Sequence, residues 1–176
     1  MSAVDKGPWR SALRNYRRGR TYDPTLKSSL AGRGREALAA FDIPADAPIA
    51  SFEPTPTEPD ISELNRSLPH VILPVVARDH DGAVIPEPDW TGPLEDAALI
   101  FVPALAADAL GTRLGQGGGW YDRALATLDT PPPVVAVVFD HEFIEDRPLP
   151  RQRHDVPVDG VLTPTRFVLL RPRPRQ

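Results

Sequence analysis

A chain of 176 residues with 41% hydrophobic and 25% charged residues can bury one sizeable core and is too short for two ordinary enzyme domains. Its formal net charge of −4 argues against wholesale nucleic-acid binding, and the lack of cysteine excludes disulfides, zinc thiolate sites and a thiol nucleophile. No run approaches the ~20 apolar residues of a membrane span, and MSAVDKGPWR lacks the apolar stretch of a secretion signal, so a cytoplasmic protein is the expectation.

Trp9, Leu13 and Tyr16 fall at helical spacing and predict a helix over residues 8–19, with Pro8 in its first turn. Arg10, Arg14, Arg17, Arg18 and Arg20 crowd this segment, against the sign of the whole chain. A second helix is expected from Pro24 to Phe41 with Asp23 as its cap, although Gly32 and Gly34 interrupt it. Ile49 to Phe52 reads as a short strand, followed by the loop EPTPTEPD and a brief helix over Ser62 to Leu68 capped by Asp60 or Ser62. The apolar runs Val71 to Ala77, Ala97 to Val102 and Val134 to Phe139 do not alternate, which marks strands covered on both faces. Short strands around Val161 to Thr163 and Phe167 to Leu170 are placed to close an edge. The 22 prolines fall between these segments rather than in one tract, so they read as stiffened loops. The expected fold is α/β: a single three-layer domain over residues 1–170 with a mostly parallel central sheet flanked by helices, Rossmann-like in outline, and a loose tail from Arg171 to Gln176.

The densest chemistry lies in GTRLGQGGGWYDR, Gly111 to Arg123. Gly115 and Gly117 to Gly119 can adopt positive φ and bring backbone N–H groups to an anion, and a backbone curled around phosphate at Gly118 would make Gly118→Val more damaging to binding than loss of the Arg113 or Lys6 side chain. Arg113 and Arg123 can hydrogen-bond phosphate oxygens, Asp122 can reach a magnesium ion carried by a nucleotide, and Trp120 to Leu128 can form a helix. A flexible surface turn is the competing reading of these residues taken alone. The loop sits downstream of the strand AALIFV, at the carboxyl end where open sheets bind ligands. Neither GxxxxGK[ST] nor a properly placed GxGxxG is present, which disfavours a P-loop kinase or a Rossmann dehydrogenase, and the lack of GxSxG disfavours a serine hydrolase. Among the acids Glu58, Glu87, Asp108, Asp122, Asp140, Asp155 and Asp159, Asp122 and Asp155 stand out, the first beside the glycine loop and the second in the polar turn RHDVPVD. His70, His80, His141 and His154 lack metal-ligand spacing and carry no argument.

The segment Ile100 to Arg123, IFVPALAADALGTRLGQGGGWYDR, resembles the signature of the 5-formyltetrahydrofolate cyclo-ligases, which runs PGLAFD and then RLGxGGGYYDR. The resemblance continues in order along nearly the whole chain: Lys6 and Arg10, Glu58, the run Ile72 to Val76, Glu87-Pro88, and HDVPVDGVLTPT at His154 to Thr165. It implies a fold like that of the NagB/RpiA/CoA-transferase group and an ATP- and magnesium-dependent ring closure of 5-formyltetrahydrofolate to 5,10-methenyltetrahydrofolate, by a monomer with neither nucleic-acid nor membrane partner. It further implies that Lys6, Arg10, Arg113, Leu114, Gly115, Gln116, Gly117, Gly118, Gly119, Trp120 and Tyr121 hold ATP, with Lys6 and Arg113 acting on the transferred group. Asp122 and Asp155 would stand at Mg2+, and Glu58 with Gln116 to Trp120 would contact the folate. Lys6 and the first helix would then fold over the loop, leaving Arg17, Arg18 and Arg20 as a solvated face. Departures from the pattern are Ala104 and Ala107 for Gly and Phe, Trp120 for Tyr, Gln116 at a position often basic or aromatic, and the unusual stretch 53–57. They motivate the alternative of a non-catalytic folate- or nucleotide-binding paralogue. A sugar-phosphate isomerase or phosphate-binding protein using the same loop is the reading independent of the resemblance.

Overall fold

The computed structural model describes residues 5–75 and 89–170; Val76, Ala77, Glu87-Pro88 and the tail Arg171 to Gln176 lie outside that range. Helix α1 spans Gly7–Arg18 with Pro8 in its first turn, where a missing N–H costs nothing. Helix α2 spans Leu26–Ala40; Asp23 does not cap it directly but accepts the N–H of Thr25 at 2.9 Å in the turn just before it. Strand β1 (Ile49–Ala50) is followed by α3 (Ser62–Ser67), whose entry is fixed by the Asp60 carboxylate on the Ser62 N–H at 2.9 Å. The run Val71 to Val75 is not one strand. Val71–Ile72 (β2) joins the main sheet, then Pro74–Val75 (β3) turns away to pair antiparallel with Asp89–Trp90 (β4). The break falls at Leu73, whose N–H is taken by the Thr91 hydroxyl at 2.9 Å.

Leu99–Pro103 (β5) and Val134–Val137 (β8) are the buried strands that the non-alternating pattern implied, and Gly160–Leu162 (β10), expected only in a pair closing an edge, is buried as well. Ala106–Asp108 (β6), Arg113–Leu114 (β7) and Phe143–Ile144 (β9) form a separate three-stranded sheet, while Trp120–Ala126 (α4) is shorter than expected. The main sheet has six strands in the order β11-β10-β8-β5-β1-β2, where β11 is Phe167–Leu169. All its pairs are parallel except the edge pair β10–β11.

Alternate residues of the central strands feed two cores. Leu99, Phe101, Val135, Val137 and Leu162 pack with Leu30, Ala31 and Ala37 of α2 and Leu64 of α3. Ile100, Val102, Val134, Ala136 and Val161 pack with Ala124 and Leu125 of α4. Each large side chain fully removed from water there contributes roughly 1.5–3 kcal/mol, which offsets the modest helix propensity of α2. This is the expected three-layer α/β arrangement, with Pro103 at the carboxyl end of β5 bordering the same space as the glycine loop.

Gly34 is what lets α2 lie against α3, so it supports the helix pair rather than interrupting it. A Cβ there would stand 2.4 Å from Leu64 Cδ2 and 3.2 Å from its Cγ, and Leu64 is wholly buried. Gly32, on the same helix, has no atom within 4 Å of the same position. Opposite signs are therefore expected in thermal melts: Gly34→Ala should destabilise by about 1–3 kcal/mol, and Gly32→Ala should stabilise by about 0.5–1 kcal/mol.

Candidate active site

The glycine loop is delivered by a tight turn between β6 and β7. Asp108, wholly buried, accepts the N–H groups of Leu110 (3.0 Å), Thr112 (2.8 Å) and Leu149 (2.7 Å), so this acid is committed to holding the turn. Asp140 and Asp159 are likewise occupied: Asp140 takes the hydroxyls of Thr163 and Thr165, and Asp159 takes the Val134 N–H. Arg113 follows on β7 and is buried; its Nη1 donates to the Val156 carbonyl and its Nη2 to Asp122 Oδ1, each at 2.8 Å. Leu114, the next residue, is wholly buried with Ala106 and Leu149, and Trp9 and Leu13 of α1 pack on that cluster. Its side chain faces away from the loop's open side, so Leu114 supports the site rather than lining it.

Beyond Leu114 the backbone opens into a cavity of about 540 Å³. Its lining gathers Lys6, Arg10, Arg113, Asp122 and Asp155 with the loop Gly115 to Gly119, and Glu58, Trp120 and Tyr121 together with Phe52, Glu53, Pro74 and Pro103. Every residue that the resemblance assigns to the site except Leu114 thus borders one space; Arg123, also expected at phosphate, does not border it and donates to the Gly118 carbonyl at 2.7 Å. Gln152 and His154 border it as well; His154 Nε2 stands 4.0 Å from Asp155 Oδ1 and is mostly exposed.

The acids and bases of the site are paired. Lys6 Nζ lies 2.5 Å from Asp155 Oδ2, both side chains buried, and Gln152 N–H reaches the same oxygen at 2.6 Å. Burial pushes the Asp155 carboxyl up, but the Gln152 N–H and Lys6 outweigh it and hold the carboxyl below its ordinary 3.8. Asp122 receives Arg113 and the Val156 N–H (3.1 Å) on the same oxygen, Oδ1. Tyr121 is pushed far above the usual phenol range, first by burial and then by the Glu58 carboxylate, with Arg113 opposing both, so it is a hydrogen-bond donor at any ordinary pH. Among the described residues no cluster of three or more His, Asp or Glu could cage a metal by itself.

Helix α1 lies on the loop through one face. Lys6 just before it, then Arg10, Arg14 and Arg17, recur every three or four positions and so share a side. Arg10 Nε donates to the Gly115 carbonyl at 2.9 Å, and Arg14 bonds both the side chain and the carbonyl of Gln116. Arg17 is not solvated as expected: it is buried, with Nε and Nη2 each 2.7 Å from the carboxylate of Glu142 and Nη2 2.6 Å from the Ala104 carbonyl. Arg14, Arg17 and Glu142 were not singled out by sequence reasoning; the signal that finds the two arginines is their spacing from Lys6 and Arg10. On the far wall, Trp90 from β4 stands 5.2 Å from Trp120, which in turn meets Tyr121 edge-on at 4.9 Å.

Within the loop Gly117 (φ 112°) and Gly119 (φ 63°) take positive φ, while Gly115 and Gly118 do not, and nothing approaches a Cβ built on Gly118. The positive φ expected at Gly118 is therefore found at Gly117 and Gly119 instead. Gly117→Val should cost about 1–3 kcal/mol in a thermal or denaturant melt and Gly118→Val under about 0.5 kcal/mol. The Asp155 pairing predicts acid sensitivity. Because its folded pKa lies below 3.8, its contribution is fully present above that value and is lost as pH falls through the folded pKa. Asp155→Asn should flatten the fall in melting temperature below pH ~4 relative to the parent; an unchanged acid limb would contradict the pairing.

Residues 82–164 match the model of the 5-formyltetrahydrofolate cyclo-ligase family. The chain is 31% identical to 5-formyltetrahydrofolate cyclo-ligase of Mycolicibacterium smegmatis across 96% of this chain and 98% of that one. It is also 36% identical to the Escherichia coli protein of the same name over 42% of this chain and 40% of the other. The solved structure of Aquifex aeolicus 5,10-methenyltetrahydrofolate synthetase superposes with a TM-score of 0.73 over 97% of this chain and 95% of its own, at 24% identity, which speaks to the fold. A synthetase of that name from Mycoplasma pneumoniae superposes with a TM-score of 0.63, at 21% identity. With the M. smegmatis relative matched end to end and the expected site residues gathered at one cavity, the chain belongs to the 5-formyltetrahydrofolate cyclo-ligase family.

Proposed function

We propose that this protein closes the ring of 5-formyltetrahydrofolate to 5,10-methenyltetrahydrofolate at the expense of ATP, releasing ADP and phosphate. The observation that carries the reading is the mixed lining of one cavity: three cations and the glycine loop border it together with Glu58 and the rings of Trp120 and Tyr121. Lys6, Arg10 and Arg113 suit a triphosphate, and the backbone of Gly115 to Gly119 can follow it closely. Glu58 suits the amino and ring N–H groups of a pterin, and Trp120 with Tyr121 offers ring faces to it.

The chemistry asked of these residues is mostly alignment and charge neutralisation. The formamide oxygen on N5 is a poor leaving group. It attacks the γ-phosphorus, ADP departs, and the formyl carbon becomes an iminium bearing a phosphate ester. N10 adds to that carbon, its proton is lost, and the C–O bond breaks to release inorganic phosphate and leave the five-membered methenyl ring. Lys6 and Arg113 hold the transferred group while negative charge moves from one oxygen to another.

A magnesium ion fits this arrangement as a guest of the nucleotide rather than of the protein. Asp122 and Asp155 supply two carboxylates, phosphate oxygens and water would supply the remaining ligands, and the bound ion would screen the phosphates from one another. In the nucleotide-free protein each of these carboxylates neutralises one of the phosphate-binding cations. On binding, Lys6 and Arg113 would turn to phosphate, and Asp155 and Asp122 would be the carboxylates to hold the ion, so that no charge would be left alone in the cavity. Action as a cytoplasmic monomer without nucleic-acid partners completes the reading, in keeping with the acidic chain and with the fact that no described helix is long and apolar enough to cross a membrane.

Mixing the protein with 5-formyltetrahydrofolate and Mg-ATP should raise the methenyl absorbance, and Lys6→Ala should weaken ATP binding ~10- to 100-fold, as for loss of one charge-assisted contact. Folate and ATP binding without turnover would point instead to a non-catalytic paralogue. Unchanged ATP affinity in Lys6→Ala would remove Lys6 from the site.

A further inference from the structure

We propose that Glu142, acting through Arg17, is a positioning residue for the nucleotide half of the site, an inference that rests on the reading above. Lys6, Arg10 and Arg14 all touch the glycine loop or Asp155, which are the groups a nucleotide must engage. Those contacts are therefore rearranged when ligand binds and cannot by themselves fix where α1 stands. Arg17 differs. It reaches past the loop to the ends of the two central strands, binding the Ala104 carbonyl just after β5 and Glu142 in the turn after β8. Glu142 is wholly buried and is itself fixed, because the oxygen that takes Arg17 Nη2 also takes the Phe139 N–H at 2.9 Å. The guanidinium carbon stands 5.5 Å over the Phe139 ring, and Nη1 alone of its nitrogens is buried without a hydrogen-bond partner among the described residues.

The lever is long. Eleven residues separate Arg17 from Lys6, about 16 Å along a helix, so a tilt of about 10° at Arg17 would carry Lys6 through about 3 Å. That is the length of a hydrogen bond, enough to take Lys6 out of reach of its partner. A two-pronged contact between planar groups resists such tilting, where a single-point contact does not.

The double variant Arg17→Met/Glu142→Gln removes both charges and keeps an oxygen for the Phe139 N–H. It is expected to fold, as judged by a cooperative melt, and to bind ATP about 10-fold more weakly by calorimetry in the absence of folate. KM for ATP should rise in parallel, while kcat at saturating ATP and KM for 5-formyltetrahydrofolate should change less than about twofold. Hydrogen exchange of the α1 amides should quicken in the nucleotide-free variant. If the double variant melts below the assay temperature, Arg17→Lys, which keeps the charge and loses the fork, should show the same ATP-only defect. Lowered stability with unchanged ATP affinity, or equal loss of ATP and folate affinity, would overturn the positioning role alone. Wild-type protein that binds folate and no nucleotide would overturn the assignment of this half of the site, and the inference with it.

Discussion

The burial of one guanidinium organises the mouth of the cavity. A charge taken out of water is costly unless its hydrogen-bonding capacity is met with good geometry. Arg17 is 2% exposed and Glu142 wholly buried, so the two bind each other or both are stranded. Their bond fixes the C-terminal end of a helix that has little else to recommend it to the fold: α1 brings only Trp9 and Leu13 to the smallest of the three apolar clusters. An ordinary amphipathic helix is held by an apolar stripe; this one is held by a cationic stripe, and the part of that stripe nearest its N-terminus borders the cavity. Lys6 and Arg10, on the same stripe as the Arg17 that anchors α1, thus line the pocket with positive charge beside Arg113, which accounts for part of the basic segment in an acidic chain.

The parts of the fold legible in the sequence were those whose burial leaves a long mark. β5 and β8 are covered on both faces and read as unbroken apolar runs, and α1 keeps helical spacing through Trp9, Leu13 and Tyr16. The small sheet of β6, β7 and β9 was not legible, because strands of two or three residues are shorter than the window over which alternation can be seen. Val71 to Ala77 misled for another reason: composition reports apolar residues, not their burial, and in the described part Ile72 is buried in the main sheet while Val75 is exposed on the β3–β4 pair. Gly34 was read by propensity as a helix interruption when close packing on Leu64 decides its role.

The site shows the same division. Lys6, Arg10, Glu58, Arg113, Asp122 and Asp155 are far apart in the chain, yet all border one cavity, and it was the order of matching motifs, not local chemistry, that joined them. Arg17 was misplaced because composition cannot separate it from Arg18 beside it; only the angular position on the helix does, and that places Arg17 with Lys6, Arg10 and Arg14. Leu114 was misassigned by contiguity: inside a glycine-rich segment it is a strand residue, and strands send neighbouring side chains to opposite faces, so when Arg113 reaches the cavity Leu114 must go to the core.

The departures from the family pattern fall where the fold can absorb them. At Ala104 the group in use is the backbone carbonyl that receives Arg17, which does not depend on a side chain. Ala107 pairs with Arg113 on one side and Phe143 on the other within the small sheet, and Phe143 packs in the same core, so an aromatic ring is present there from a neighbouring strand. Trp120 is larger than the tyrosine it replaces, and a larger ring left without support would be free to swing into the cavity. It packs against both Tyr121 and Trp90, which also meet each other, and Trp90 comes from the β3–β4 pair that exists only because the run Val71 to Val75 leaves the main sheet at Leu73. The turn that interrupts an otherwise continuous strand therefore supplies the ring that steadies the aromatic wall of the pocket.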